Sequence, residues 1–244
     1  MARVTIQQKL SVNQELITSA RLIKAGLGQV QSLHGGNDFY HLPLLTLASG
    51  FERLMKVTLS FRFLETEGRF PGIKEIPVGR NGHDLTFLLE LVKKKCFLPG
   101  YVGHIPVAKE DWDYLESDRF LSFLEALTRF GKSARYYHVD VVLGKDPDSL
   151  PPEREWEAIE TSIFLSRDDL VQEMDENPAS RNIYRELNSE MVVIGERFAR
   201  SLARLYTIGR IGSEAKAHMA HLSPFWGLKD SELGRSSYDP FGRV

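Results

Sequence analysis

The sequence has almost no cysteine and no long apolar run, and both absences narrow the class of protein. Cys96 is the single cysteine in 244 residues, so no disulfide can form within the chain. No stretch approaches the roughly 20 apolar residues that cross a bilayer, and the opening MARVTIQQKL lacks the apolar core of a signal peptide. A lone thiol fits a reducing compartment. We therefore expect a cytoplasmic protein with no membrane partner.

The sequence also lacks a strong charge of either sign. Its formal net charge is −2 and its pI is about 6.4. Nucleic-acid-binding domains usually carry a basic excess, so bulk charge gives that function no support, although a local basic face stays open. The glycine-rich phosphate loops, the GxSxG nucleophile elbow and the HExxH metal motif are absent. These absences predict no cofactor and no metal ligand set, and they leave catalysis undecided.

What the chain does have is helical periodicity, in a composition that is 42% hydrophobic and 26% charged. Apolar residues three or four apart predict six helices, at 13–33, 44–59, 83–95, 109–130, 153–173 and 183–208. Glycine and proline predict two long loops, at 68–82 and 96–111. The β-branched segment YYHVDVVL (136–143) predicts a short strand or extended piece. The predicted fold class is all-α, a helical bundle of about six helices.

Three short motifs then follow one another along the chain. The helix ASGFERLMKVTL carries Glu52 and Lys56 four residues apart, and GHDLTFLLELV opens the next predicted helix with His83. An aromatic-rich helix later runs into the dipeptide Arg135-Tyr136. This order resembles the HEPN domain, a helical bundle named for nucleotide binding in eukaryotes and prokaryotes, in its sacsin-like and nucleotidyltransferase-associated branches.

The resemblance covers about 44–140 and implies how the chain is organised. We expect one helical domain over 1–244, with a HEPN-like core at about 44–140. A C-terminal helical extension at about 153–221 and an irregular tail at 222–244 would follow. HEPN-like bundles commonly pair through helices and often occur in bacterial conflict and toxin–antitoxin systems, so the resemblance also implies a homodimer or a partner protein.

The ribonuclease branch of this family uses Arg-x-x-x-x-His, and that spacing is absent. Arg80 lies only three residues before His83, and RNIYRE (181–186) has Glu186 where the histidine should stand. The resemblance therefore implies binding of a nucleotide or an RNA end without ribonuclease chemistry by that route.

Two polar clusters are candidates for the nucleotide site. His83 precedes a helix whose N-terminal N–H groups favour phosphate. Arg135, Tyr136 and His138 combine a bidentate phosphate donor with rings that stack on a base. The predicted site joins all four residues in one positively polarised hollow. Because a carboxylate repels phosphate, Asp84 should point away and orient His83 or bind a lysine.

A purely structural interpretation competes with each cluster. Asn81 or Asp84 would cap the helix, and Arg135 would pair with an acid such as Asp140. An enzymatic alternative uses an altered motif, Arg181, Asn182 and Glu186, for ribonuclease or nucleotide-modifying chemistry, with His138 as a further member. A third hypothesis is a helical protein-interaction module with no ligand site.

The remaining polar patterns have structural interpretations. Arg197, Arg200 and Arg204 share a helix face that could follow a phosphate backbone, but interleaved glutamates favour a solvated, salt-bridged face. His218 and His221 are three apart without further identifiable metal ligands.

Overall fold

The described chain is helical throughout. A computed structural model describes residues 4–77, 82–132, 136–145, 151–178, 180–209 and 211–242. Within these ranges there is no β-strand, which confirms the all-α class. The described α-helices are α1 (Ile6–Gln31), α2 (His41–Glu67), α3 (Leu85–Cys96), α4 (Pro99–His104), α5 (Pro106–Leu115), α6 (Asp118–Lys132), α7 (Tyr137–Val142), α8 (Pro152–Leu165), α9 (Asp168–Glu176), α10 (Arg181–Thr207), α11 (Ser213–Ala217) and α12 (Ser223–Trp226). Short 3₁₀ helices lie at Met219–Leu222 and Asp230–Glu232.

Close packing of α1 against α2 builds the first layer. A Cβ placed on Gly26 would lie 2.6 Å from the Leu47 side chain, and one on Gly50 would lie 3.0 Å from the Ile23 backbone nitrogen. Those distances are too short for any larger residue without a shift, so glycine permits the approach. The pairing of Gly26 with Leu47 and of Ile23 with Gly50 shows that the two helices run antiparallel.

The long helix α10 supplies much of the core that covers this layer. Phe198 is fully buried and its ring stacks on Phe51 of α2 at a centroid distance of 4.4 Å. The ring of Phe120 meets Phe198 edge-on at 4.8 Å. One hydrophobic cluster therefore joins α2, α6 and α10. The predicted apolar stripes of 13–33, 44–59 and 83–95 are buried as expected.

The prediction of about six helices was too low, because short helices and breaks have weak sequence signals. The predicted loop at 96–111 is wrong: it forms α4 and the start of α5, with Pro99 and Pro106 each at the first helical position. The predicted helices 109–130 and 153–173 are each divided. At both breaks a serine hydroxyl, of Ser117 and of Ser166, donates to the carbonyl three residues earlier at 2.7 Å.

The predicted strand at 136–143 is also wrong, since its residues 137–142 form α7. None of the helix's residues is buried, and its valines are 46–84% exposed. An isolated β-branched segment needs a partner strand, and the described residues offer none. Gly144, with φ +75°, follows the helix end in the left-handed conformation that glycine favours.

The C-terminal segment 234–242 packs along α1 and α10. The buried Glu196 carboxylate of α10 accepts hydrogen bonds from Gly234 N–H and the Tyr238 hydroxyl, both at 2.6 Å. Gln31 of α1 donates its amide N–H to Ser236 O at 2.6 Å and accepts from Tyr238 N–H at 3.0 Å. Irregular backbone is thus held by side chains of two helices.

No helix in the described ranges is both long enough and apolar enough to cross a membrane.

We expect Glu196→Ala to release the C-terminal segment, because it leaves the buried Tyr238 hydroxyl and the partly buried Gly234 N–H without an acceptor. The free energy of unfolding should fall by about 2–3 kcal/mol, and limited proteolysis should cut within 234–242 faster. Burial raises the pKa of Glu196, and its hydrogen bonds oppose this only in part. Ionisation of Glu196 therefore disfavours the folded state as the pH rises through that raised pKa.

Glu196→Gln should consequently retain the segment and be at least as stable as the wild type at pH 8. Glu157→Ala, which breaks an exposed pair with Arg154 on α8, is the matched control. Unchanged proteolysis in Glu196→Ala would contradict the proposed anchoring.

Candidate functional site

A cleft of about 690 Å³ lies beside α1 and α2, and we name it the α1–α2 cleft. Its volume falls within the range typical of small-molecule sites. Spacings of three or four residues place its α2 side chains on one face. The lining comes from the N-cap Thr5, from α1 (Gln7, Gln8, Ser11, Val12, Glu15), from α2 (Leu45, Ala48, Ser49, Glu52, Arg53, Lys56, Val57, Ser60), and from Phe70, Pro71, His83 and Gly131.

The Glu52 carboxylate organises the polar side of the cleft. Its Oε1 accepts a hydrogen bond from Lys56 Nζ at 2.7 Å, and its Oε2 lies 2.9 Å from His83 Nδ1. The Lys56 contact is the intrahelical pair that the spacing predicts. The His83 contact joins α2 to the segment before α3, so two of the motifs behind the HEPN resemblance meet in space.

This contact also determines the chemistry that His83 presents. A carboxylate oxygen only accepts hydrogen bonds, so the proton of a neutral His83 lies on Nδ1. The Nε2 atom is then the nitrogen left for another partner, as an acceptor when the ring is neutral and as a donor when it is protonated. The side chain is 39% exposed, which leaves room for such a contact. Gly131 of α6 lies against the His83 carbonyl, where an added Cβ would be at 3.4 Å.

Asp84 caps α3 and faces away from a ligand role, as expected. Its Oδ1 accepts from Phe87 N–H at 2.9 Å, and its Oδ2 accepts from Lys132 Nζ at 2.8 Å. Partial burial alone would raise the pKa of Asp84, but these two hydrogen bonds outweigh it and the pKa lies below its usual value. Both oxygens of the Asp84 carboxylate are therefore engaged in contacts within the protein.

The arginine and the lysine that line the cleft, among the described residues, each have a carboxylate partner. Arg53 pairs with Glu15 of α1 at 2.5 Å, and Lys56 pairs with Glu52. A phosphate therefore has to compete with these carboxylates for either cation. The pair of Arg53 with Glu15 was not predicted from the sequence. The polar spacing of Gln8, Ser11 and Glu15 on α1 was the available signal.

Two of the other predicted nucleotide ligands, Tyr136 and His138, do not line this cleft. Arg135 lies outside the described residues. Tyr136 is 55% exposed, and His138 on α7 lies 3.4 Å from Glu153 near the start of α8. Neither side chain is among the described residues that line the α1–α2 cleft.

The three residues of the altered motif, Arg181, Asn182 and Glu186, do not form one site. Arg181 and Glu186 line a second cleft, of about 680 Å³, at the start of α10. Asn182 is instead engaged within the protein, since its amide N–H donates to Glu173 of α9 at 2.7 Å and its oxygen accepts from Arg185.

The arginine stripe of α10 is neither solvated nor free for a phosphate backbone. Arg200 is 4% exposed and pairs with Asp230 at 2.7 Å, and Arg204 pairs with the buried Asp111 at 2.9 Å. The Arg197 guanidinium lies over a tyrosine ring of α5, with 4.1 Å to the centroid. These three cations are therefore engaged by groups of the protein itself.

Cys96 and the histidine pair have structural surroundings. Burial raises the pKa of the Cys96 thiol to about 12, so a reactive thiolate is disfavoured at neutral pH. The centroid of the His218 ring lies 5.6 Å from the ring centroid of Phe61 and 6.1 Å from that of His221. In the part of the chain that the structure describes, no group of three potential metal ligands comes together.

Comparisons with protein-family models, with curated proteins and with solved structures found no match to this chain. The resemblance to HEPN domains therefore stays a prediction that rests on the motifs themselves.

We expect Asp84→Ala to lower the free energy of unfolding by about 1 kcal/mol, the usual effect of losing an N-cap. Asp84→Asn should lose less, since its side-chain oxygen can still accept from Phe87 N–H. Because the folded pKa of Asp84 is lowered, its stabilisation is complete above the usual aspartate pKa and is lost as the pH falls through the folded value.

The difference between Asp84→Asn and the wild type should accordingly vanish in acid, as measured by urea unfolding over a pH series. Asp140→Asn, which breaks an exposed lysine pair without removing a cap, serves as the control. A difference that is constant with pH would rule out the assigned ionisation.

Proposed function

We propose that this chain is a HEPN-like helical module that binds a nucleotide in the α1–α2 cleft. The observation that carries the proposal is the meeting of Lys56, Arg53 and His83 at one cleft of about 690 Å³, although His83 is distant from the others in sequence. The same cleft has an apolar part, formed by Val12, Leu45, Ala48, Val57, Phe70 and Pro71. An apolar part suits a base, and cations suit a phosphate.

The apolar side of the cleft is held in place before any ligand arrives. Arg69 forms two hydrogen bonds of 2.7 Å with Glu75 and a third, of 3.2 Å, with the Phe70 carbonyl. The bidentate contact lowers the pKa of Glu75 well below its usual value. Phe70 and Pro71 are therefore supported by a closed turn, which reduces the ordering entropy that binding would otherwise require.

Arg53 is the cation that a phosphate can recruit most easily. Its pair with Glu15 is exposed, with 43% and 46% of the two side chains accessible, and such pairs contribute only about 0.2–1 kcal/mol. Lys56 and Glu52 are less exposed, at 25% and 18%, and Glu52 is shared with His83. In the proposed complex Arg53 leaves Glu15 for the phosphate, and Glu52 keeps Lys56 and His83 in position.

Opposite effects of two substitutions on nucleotide affinity test this assignment. Arg53→Ala should weaken ATP or GTP binding about tenfold, the scale of a lost charge-assisted hydrogen bond. Glu15→Ala should strengthen binding about two- to fivefold, because Arg53 no longer has to leave a partner. Thermal shift and calorimetric titration with ATP, GTP and short RNA measure both changes.

Lys109→Ala and Asp113→Ala break an exposed pair on α5 and should leave affinity unchanged. No stabilisation by any of these ligands at millimolar concentration would sink the proposal. So would equal affinity in Arg53→Ala, Glu15→Ala and the wild type.

A second candidate function, protein interaction, is favoured by the apolar surface of α7. Val139, Val141 and Val142 of α7 and Leu143 at its end are 46–84% exposed, and only Asp140 interrupts the apolar run. Exposed apolar clusters of this kind often mark interfaces. A second copy or a partner protein could cover them, in line with the expected homodimer or partner protein.

We expect Val139→Asp combined with Val142→Asp to shift a homodimer to monomer in sedimentation without lowering the melting temperature, since neither side chain is buried. Leu165→Asp, which replaces an apolar residue of similar exposure (67%) on α8, is the matched control. A wild-type protein that stays monomeric at every concentration would remove the homodimer.

A further inference from the structure

A second cleft, which we name the α10 cleft, has the basic character that the α1–α2 cleft lacks. It lies between the end of α1, the first turns of α10 and segment 234–237, with a volume of about 680 Å³. Three arginines line it, Arg181, Arg185 and Arg235, against one acid, Glu186. This excess of positive charge is local, because the whole chain has a net charge of −2.

Two of the three arginines are available for a ligand. Arg181 and Arg235 are exposed, and among the described residues neither guanidinium has an ion-pair or hydrogen-bond partner. Glu186 does not neutralise them, since it lies 3.6 Å from Arg167 and 3.5 Å from Arg185. An unpaired guanidinium retains all of its donors for a bidentate contact.

The base of the cleft is preorganised by hydrogen bonds. The buried Asn188 side chain donates to Leu33 O at 2.7 Å, which joins α10 to the end of α1. The Ser189 hydroxyl donates to Gly234 O at 3.0 Å. Gly234 has φ +72°, and an added Cβ would lie 2.5 Å from Ser189 Oγ, so the segment follows α10 at a distance that only glycine allows.

His34 and Tyr184 supply the remaining recognition groups. Gly36 N–H donates to His34 Nδ1 at 3.1 Å, so the ring proton lies on Nε2, which becomes a donor. The Tyr184 ring is 42% exposed, and its hydroxyl lies near Gly35, where an added Cβ would be 2.9 Å away. An exposed ring beside arginines can stack on a base.

The start of α10 is not itself the anion site. Ser180 already accepts the Asn182 N–H at 3.2 Å, and the Glu173 carboxylate lies against Asn182. The cleft's attraction for an anion therefore comes from its side chains.

We propose that the α10 cleft binds the phosphate groups of a polyphosphate or of an RNA strand, through Arg181 and Arg235. Phosphate is the anion that fits best, because several planar guanidinium groups and one imidazole donor converge on a single open cleft. This site is separate from the nucleotide cleft and does not depend on it.

Charge reversal at the two unpaired arginines tests the proposal. The probes are inorganic tripolyphosphate, followed by calorimetry, and a labelled single-stranded oligouridylate, followed by fluorescence anisotropy. Arg181→Glu and Arg235→Glu should each weaken binding by about tenfold or more. For the oligouridylate, each should also reduce the slope of log affinity against log salt concentration by about 0.7.

Two further variants locate the site and its ligand. Arg154→Glu reverses an exposed arginine on α8 and should leave the affinity for both probes nearly unchanged. Tyr184→Ala should weaken the oligouridylate but not tripolyphosphate if a strand is the ligand.

If charge reversal abolishes the binding of either probe, the proposal is supported. The effect of Tyr184→Ala then distinguishes a polyphosphate from an RNA strand as the ligand. If neither probe binds, or if Arg181→Glu and Arg235→Glu bind as the wild type does, the proposal is overturned. Both arginines are exposed and have no partner within the described part of the chain, so their substitution should not unfold the protein.

Discussion

The hydrogen bonds of the Glu52 carboxylate are the constraint on which the α1–α2 cleft depends. A carboxylate with only 18% of its side chain accessible needs donors to replace the water it has lost. Lys56 supplies one from the next turn of α2, and His83 supplies the other from the segment before α3. The hydrogen bond to Glu52 therefore positions His83 and determines which ring nitrogen carries the proton. The close approach of Gly131 then brings α6 against the same segment.

The two clefts differ in how the chain manages its own charge. In the α1–α2 cleft each cation is paired, so a ligand has to replace an existing contact, and the exposed pair of Arg53 and Glu15 is the one most easily exchanged. In the α10 cleft two arginines have no described partner. The first arrangement suits a compact ligand with an apolar part, and the second suits a more strongly charged one. The net charge of the chain does not reveal this difference between the two clefts.

Much of the fold could be predicted from the sequence because long amphipathic helices repeat one pattern many times. The stripe from Leu16 to Val30 is an example, and its five predicted positions are buried. Short helices offer no such repetition, so α4, with six residues and a proline at its start, was read as a loop. The β-branched residues of α7 favoured a strand because single-residue preference ignores whether a partner strand exists.

The candidate site was predictable only where its contacts are local. The pair of Glu52 and Lys56 follows from helical spacing. The Asp84 cap follows from the preference for aspartate at the position before a helix. The contacts of Glu52 with His83 and of Glu15 with Arg53 join residues 31 and 38 positions apart, which no periodicity reveals. The arginines of α10 show the same limit, since Arg200 pairs with Asp230 and Arg204 pairs with Asp111, and helical spacing predicts neither contact.

The C-terminal segment has a thermodynamic consequence, because Gly234 and Arg235 belong both to it and to the α10 cleft. Any molecule that fills this cleft must favour the docked segment, and by linkage docking must favour the molecule to the same degree. Occupancy of the cleft and docking of segment 234–242 would then be two readouts of one equilibrium, with the Glu196 carboxylate as the anchor of the segment.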